Sequence, residues 1–470
     1  MSKKVTEIKS GDSNNGLAVA LFAIWALGLL IAFLAYRGAD AGNLPELIRG
    51  MGGPVFGWEG LRDSLLGLVI SGLIFLAWYG LGSLITSFIK ITDETEFSAT
   101  LGFAHGTAVG AAAWSLIWFF LGLAGFYNKT VAAVLLLIGL GLAAWQIARS
   151  RSFAANPITE TSGWTVFDRA LLILSAVPVV LATVSALAPP TAKDSLLYHM
   201  SAPKAFVAQG GSAFIDGNIA SYLSLGTEMH SVWAMLLGGF FSQRVSETAA
   251  GATIFLFFPL LLLAIYGWAR ELNLSRSWRL LAVLIFASIP TAFYVAGSAY
   301  IDLALALYVT LAIYALGRWW NSLDARWLVF IAIFLGAALA VKLTTLFVFI
   351  AFTLIILLRA RQAQNDTSAS VGKSFGGGIA ALIGGGLIAA PWYLRTWAAT
   401  GSPIFPFYMN VWKGQANGWD IDRSVLFQAM NSRYGGISKG ALDYLLMPFR
   451  ISIFAQPEQA IFFDGVIGII

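Results

Sequence analysis

The run Met229-His230-Ser231-Val232-Trp233-Ala234-Met235-Leu236-Leu237-Gly238-Gly239-Phe240-Phe241 is apolar from end to end but only thirteen residues long. A helix that crosses a bilayer needs about 20 such residues, and a run of about 10–14 is more often re-entrant or interfacial. The choice decides the sidedness of everything that follows. If the segment crosses, Arg270, Arg276 and Arg279 fall outside; if it does not, they face the cytoplasm, as the positive-inside rule requires. The segment therefore reads as an external juxtamembrane helix.

Working outward, apolar stretches of spanning character recur along the chain. They are Leu17–Tyr36, Leu65–Ile89, Thr100–Leu123, Val131–Ile147, Ala170–Ala188, Thr248–Trp268, Leu280–Phe293, Ile301–Leu316, Trp327–Val341, Leu343–Leu358 and Gly376–Trp392. A twelfth begins near Ile461, and the sequence stops inside the apolar Gly465–Ile470, so a longer parent chain is expected. Apolar residues make up 58% of the 470 positions against 11% charged, with a mean hydropathy of +0.76, which excludes water as the main solvent. Strand-like alternation is absent, and abundant Gly, Ala, Leu and Phe suit helices packed closely in lipid. The expected fold is all-α: a polytopic transmembrane bundle of about 11–12 spans with two long external loops.

With Lys3, Lys4 and Lys9 cytoplasmic, alternation puts Arg149, Arg151, Arg318, Arg326, Arg359, Arg361 and Lys373 inside as well. The same alternation leaves Pro189–Arg244 and Tyr393–Ala460 outside, each long enough for short surface helices. The apolar run after the N-terminal lysines is too long for a signal peptide and reads as a retained anchor. The net charge of +5 is spread over loops, which argues against a nucleic-acid partner. There are no cysteines, so disulfides, thiolate zinc sites and a cysteine nucleophile are excluded. His105, His199 and His230 are too scattered to suggest a metal site by spacing.

A few ionisable residues interrupt this apolar background on the external side. Pro189-Pro190 ends the fifth span, and Asp194 follows just above the bilayer; in a helical segment Tyr198 shares its face, with Lys193, His199 and Lys204 nearby. Such a carboxylate is either a solvated loop acid or a general base. Glu228 and His230 stand at the rim of the short apolar helix, and Asp302 lies at the mouth of its span with no basic neighbour in sequence. Lys342 breaks an apolar run, where it either snorkels to head groups or serves as an anion ligand. Arg395 sits among Trp392, Tyr393 and Trp397, either as an anchor or as a phosphate clamp. Gly372-Lys373-Ser374 imitates the end of a phosphate-binding loop, but Thr367 occupies the required first glycine. Gly376–Gly378 and Gly384–Gly386 lie within a span and read as close helix packing.

The ordered set Asp194…Tyr198-His199…Pro203-Lys204, Leu225-Gly226-Thr227-Glu228-Met229, Tyr300-Ile301-Asp302-Leu303, Leu339-Ala340-Val341-Lys342-Leu343-Thr344 and Pro391-Trp392-Tyr393-Leu394-Arg395, followed by Gly401-Ser402-Pro403-Ile404-Phe405-Pro406-Phe407, resembles the bacterial GT-C glycosyltransferases. The likeness runs from about Phe167 to the chain end. It implies a catalytic module at 167–392, including the external loop 189–244, preceded by a four-helix extension at 1–166 and followed at 393–470 by an external loop and the start of another span. Such enzymes move a sugar from a polyprenyl-phosphate donor to a hydroxyl of a lipid, glycan or protein acceptor on the non-cytoplasmic face. By resemblance, Asp194 is the expected base, Lys342 and Arg395 hold the departing lipid phosphate, and Tyr198, His199, Lys204, Glu228, His230 and Asp302 line the sugar or acceptor pocket. No cofactor is implied with certainty, and a divalent metal is left open, because Asp194 stands alone where many relatives carry paired acids.

Two other classes fit the same hydropathy. A transporter or flippase of a lipid-linked saccharide places ionisable residues near the midplane, often in repeated halves, and no repeat is visible in this sequence. A non-catalytic membrane subunit is the third reading.

Overall fold

The computed structural model describes residues 57–89, 98–151, 163–363, 371–432 and 440–447, with isolated positions between 24 and 45. The expected spans Leu17–Tyr36 and the one beginning near Ile461 lie outside the described residues, apart from those isolated positions. Residues 58–431 form one compact unit. The remainder forms a second unit, in which the short helix Ala441–Leu445 is described.

Regular structure in the described residues is helical, as expected: an all-α polytopic bundle. Eight helices are long and apolar enough to cross a membrane. Four precede the first long loop: α1 (Trp58–Phe88), α2 (Ala99–Leu123), α3 (Lys129–Arg151) and α4 (Val166–Leu187). Two short helices follow, α5 (Ser201–Gln209) and α6 (Glu228–Gly238). Next come α7 (Gln243–Phe255) and α8 (Phe257–Glu271), which together make one span, then α9 (Arg276–Ala287) and α10 (Pro290–Gly297). The remaining long helices are α11 (Asp302–Ser322), α13 (Leu346–Ala363) and α14 (Val371–Thr400), and between α11 and α13 lies α12 (Ala325–Val341), an apolar helix of 17 residues that falls short of that length.

Local chemistry explains several boundaries. Thr165 and Asp168 form a reciprocal capping box that opens α4, and the Ser98, Ser242 and Asp324 side chains each accept a backbone N–H at the start of a helix. The expected span Leu280–Phe293 is broken: α9 and α10 meet at 67°, with Pro290, which lacks an N–H, opening the second piece. The last described span runs on past Trp392 to Thr400, so Arg395 is helical rather than in the following loop. Four of the six triplet glycines of α14 pack closely as expected, while Gly376 and Gly386 face open space. A Cβ on Gly385 would stand 3.3 Å from the Ala332 carbonyl oxygen, and one on Gly336 2.7 Å from the Gly385 carbonyl oxygen.

The decisive segment is short and packed inside the bundle. Helix α6 is eleven residues, and at about 1.5 Å per residue it spans roughly 16 Å, about half of a hydrocarbon core. It does not lie on the surface, because all eleven residues are buried. Trp233 packs against Trp114 and Trp118, with ring centroids 4.8 and 5.7 Å away, and donates its indole N–H to the Ala132 carbonyl. Gly238 lets α6 fold back on α7, since a Cβ there would meet the Ser246 backbone at 2.6 Å. A helix that is apolar all round loses contacts on whichever face it leaves exposed, so the fold places it inside.

Candidate functional site

One turn of π-helix, Ser195–His199, follows Asp194 and carries Tyr198 and His199. It is fastened to the loop between α10 and α11: the Ser195 hydroxyl donates to the Ser298 carbonyl, and the Tyr300 phenol hydrogen-bonds with the Asp194 backbone. Across the bundle, the Gly226 N–H donates to the Ala340 carbonyl at 2.9 Å, and Ser115 donates to the Gly226 carbonyl at 2.6 Å. A Cβ on Gly226 would meet the Ala340 carbonyl oxygen at 2.7 Å, so only glycine permits this approach. The start of α6 is thereby held beside the end of α12, next to Lys342.

These anchors gather six of the expected residues. His199 Nδ1 donates to Glu228 Oε1 at 2.7 Å, with both residues buried. The His199 ring lies 3.9 Å from the Tyr198 ring and 5.5 Å from Tyr300, centroid to centroid. Burial pushes the Tyr198 phenol well above its ordinary pKa, and the negative charges of Asp194, Glu228 and Asp302 push it further. Burial likewise raises Tyr300 to about 12. Asp302, which has no basic neighbour in sequence, accepts from Lys342 Nζ at 2.9 Å; the two side chains are 37% and 40% exposed. Lys342 itself sits in an extended break between α12 and the turn that leads into α13, which directs the lysine out of the helical rows.

Three expected residues stand elsewhere. His230 faces the aromatic interior, its ring 4.6 Å from Trp78 and 5.8 Å from Phe257. It borders a small internal cavity of about 10 Å³ with Thr227, Tyr308 and Trp392, about the room one water needs. Lys204 pairs with Glu247 at 2.5 Å. Arg395 lies over the Phe214 ring at 3.9 Å and donates to the Ser212 carbonyl, while the Thr396 hydroxyl holds the Tyr222 carbonyl at 2.7 Å. Phe214 stacks on Tyr222 at 4.2 Å, so Arg395 secures the loop between α5 and α6. Arg395 also lines a wide apolar groove on the flank of α2 and α14, with Phe119, Phe120, Leu123 and Leu394.

Sequence reasoning passed over Tyr300 and Tyr294 as site residues. Tyr300 lies beside His199, and the Tyr294 ring is 5.9 Å from that of Tyr300. The signal available for Tyr300 was its place two residues before Asp302, inside a motif already noted. No group of three or more histidine, aspartate or glutamate side chains that could hold a metal ion occurs among the described residues.

The fold and this cluster define a multi-pass helical membrane protein with three carboxylates, a histidine and a lysine collected between its helices. Residues 65–434 match the family described as Domain of unknown function (DUF8201), and the chain belongs to that family. No curated protein and no solved structure matches it.

Proposed function

We propose that the protein is a glycosyltransferase that moves a sugar from a polyprenyl-phosphate donor to an acceptor hydroxyl, on the non-cytoplasmic side of a bacterial plasma membrane. The observation that carries this reading is the meeting of Asp194, Tyr198, His199, Glu228, Asp302 and Lys342, drawn from segments far apart in the chain, at one place in the bundle. A direct displacement needs a group to take the acceptor's proton and a cation to receive the leaving phosphate. Asp194 is half-exposed beside two phenols and suits the first task. Lys342 is already partly exposed on its Asp302 partner and suits the second. Arg395 acts at one remove by holding the loop over α14.

The test is incubation of the purified protein with labelled polyprenyl-phosphate sugars, comparing wild type with Asp194→Asn and Lys342→Ala. Transfer is expected to fall by about 100-fold or more in each, the scale of losing one transition-state contact. Undiminished transfer in both variants would sink the assignment.

A second reading, export of a lipid-linked saccharide, draws support from the 67° break between α9 and α10 and from the buried short helix α6, since interrupted helices are common at transporter sites. Substrate counterflow in proteoliposomes without any glycosyl transfer would favour it.

A further inference from the structure

Lys342 is paired with Asp302 at 2.9 Å and His199 with Glu228 at 2.7 Å, while Asp194, beside the Tyr198 phenol, has no ion-pair partner among the described residues. Glu228 is 1% exposed; His199 occupies its Oε1, while its Oε2 has no hydrogen-bond partner among the described residues. A desolvated carboxylate oxygen is unfavourable left unpaired, so something else is expected to approach it or its neighbours. The walls are aromatic: Tyr198 and Tyr300 flank His199, and Tyr294, 53% exposed, continues the row. A metal shared by three acidic or histidine side chains is not formed among the described residues.

Carboxylates set among phenol rings bind a cation by ion pairing and by attraction to the ring faces. We propose that the substrate taken at this cluster carries a protonated amine, as an amino sugar or an amine-bearing acceptor, with Asp194 as its carboxylate partner and the tyrosines as its walls. The proposal rests on the sugar-transfer reading for the saccharide but not for the amine. It also gives the Asp302–Lys342 pair a part: when a phosphate draws Lys342 away, Asp302 is freed to share the ammonium charge, so donor and amine are accommodated together.

The experiment measures binding of glucosamine and of N-acetylglucosamine to the full chain in nanodiscs at neutral pH by titration calorimetry. Glucosamine is expected to bind at least ten-fold tighter, with an advantage that shrinks as salt is raised, disappears in Asp194→Asn and returns in Asp194→Glu. Thermal unfolding of each variant reports whether it is folded, and the Glu variant guards against loss by misfolding. Equal affinity for the two sugars, or no binding of either, overturns the proposal. The two readings fail separately. Amine preference without transfer from any polyprenyl-phosphate sugar removes the transferase reading alone, and transfer of neutral sugars without amine preference removes this inference alone.

Discussion

His199 and Glu228, twenty-nine residues apart in the chain, meet at 2.7 Å with their side chains 2% and 1% exposed. The contact joins the turn that bears Asp194 and Tyr198 to the first residue of α6. Removing one partner of such a buried pair strands the other without hydrogen bonding, a loss of about 3–5 kcal/mol. Glu228→Leu is therefore expected to lower the unfolding temperature sharply. Glu228→Gln, which keeps an acceptor for Nδ1, is expected to cost less, about 1–3 kcal/mol. Thermal unfolding in detergent ranks the two, and the reverse order would contradict the pairing.

The Asp302–Lys342 pair is of another kind. Both side chains are more than a third exposed, so solvent screens the attraction and its contribution to stability stays within about 1 kcal/mol. Lys342→Met is expected to leave the unfolding temperature nearly unchanged while transfer falls by about 100-fold. A large drop in stability would show that the pair is structural.

Arg395 is expected to behave in the opposite way. Its planar guanidinium lies on Phe214 and bonds the Ser212 carbonyl, contacts that a lysine cannot reproduce. Arg395→Lys is expected to cost about 1–2 kcal/mol and to raise proteolysis between Gly210 and Tyr222 before activity changes through any effect on phosphate. Intact stability with a specific loss of donor affinity would instead support a phosphate clamp.

Helices α1 and α2 touch through glycine. A Cβ on Gly82 would stand 1.8 Å from the Gly106 carbonyl oxygen, and one on Gly110 1.8 Å from that of Trp78. Neither backbone can yield without parting the helices, so Gly82→Ala and Gly110→Ala are expected to destabilise by about 1–3 kcal/mol or more. Gly72, in the same helix as Gly82, has nothing within 4 Å of its Cβ position, and Gly72→Ala is expected to be tolerated. Folded yield by size-exclusion chromatography separates these outcomes.

Sidedness is open to direct labelling because the chain has no native cysteine. Leu196 and Asn417 are exposed, as is Ser322 at the far end of α11. Single cysteines at the first two positions are expected to react with an impermeant maleimide from outside the cell, and one at Ser322 only after permeabilisation. Labelling of Leu196→Cys and Ser322→Cys from the same side would overturn the topology.

Much of the scaffold was legible before any coordinates. A spanning helix declares itself by local hydropathy, and the glycine triplets of α14 by their place inside an apolar run; both are sums over neighbouring residues. The 67° break was less legible, because Pro290 reads equally as a kink within a span or as an end. For α6 the length was legible and the burial was not: thirteen apolar residues without a strong stripe fit a helix surface as well as an interior. The choice fell to Trp114, Trp118 and Trp78, which lie more than a hundred residues upstream.

The ionisable residues divide the same way. Sequence alone determined which few groups stood out from an apolar chain, since each is costly in lipid wherever it lies. Only the tertiary structure decided their partners. It brought Lys342 to Asp302 across forty residues and His199 to Glu228 across twenty-nine, and it turned Arg395 toward Ser212 across 183. Pairing depends on which helices pack face to face, a relation between distant segments that no window along the chain contains. The short run from Met229 to Phe241 shows both halves: its length argued against a crossing, and its neighbours in space buried it from Met229 to Gly238 while leaving Phe240 and Phe241 exposed.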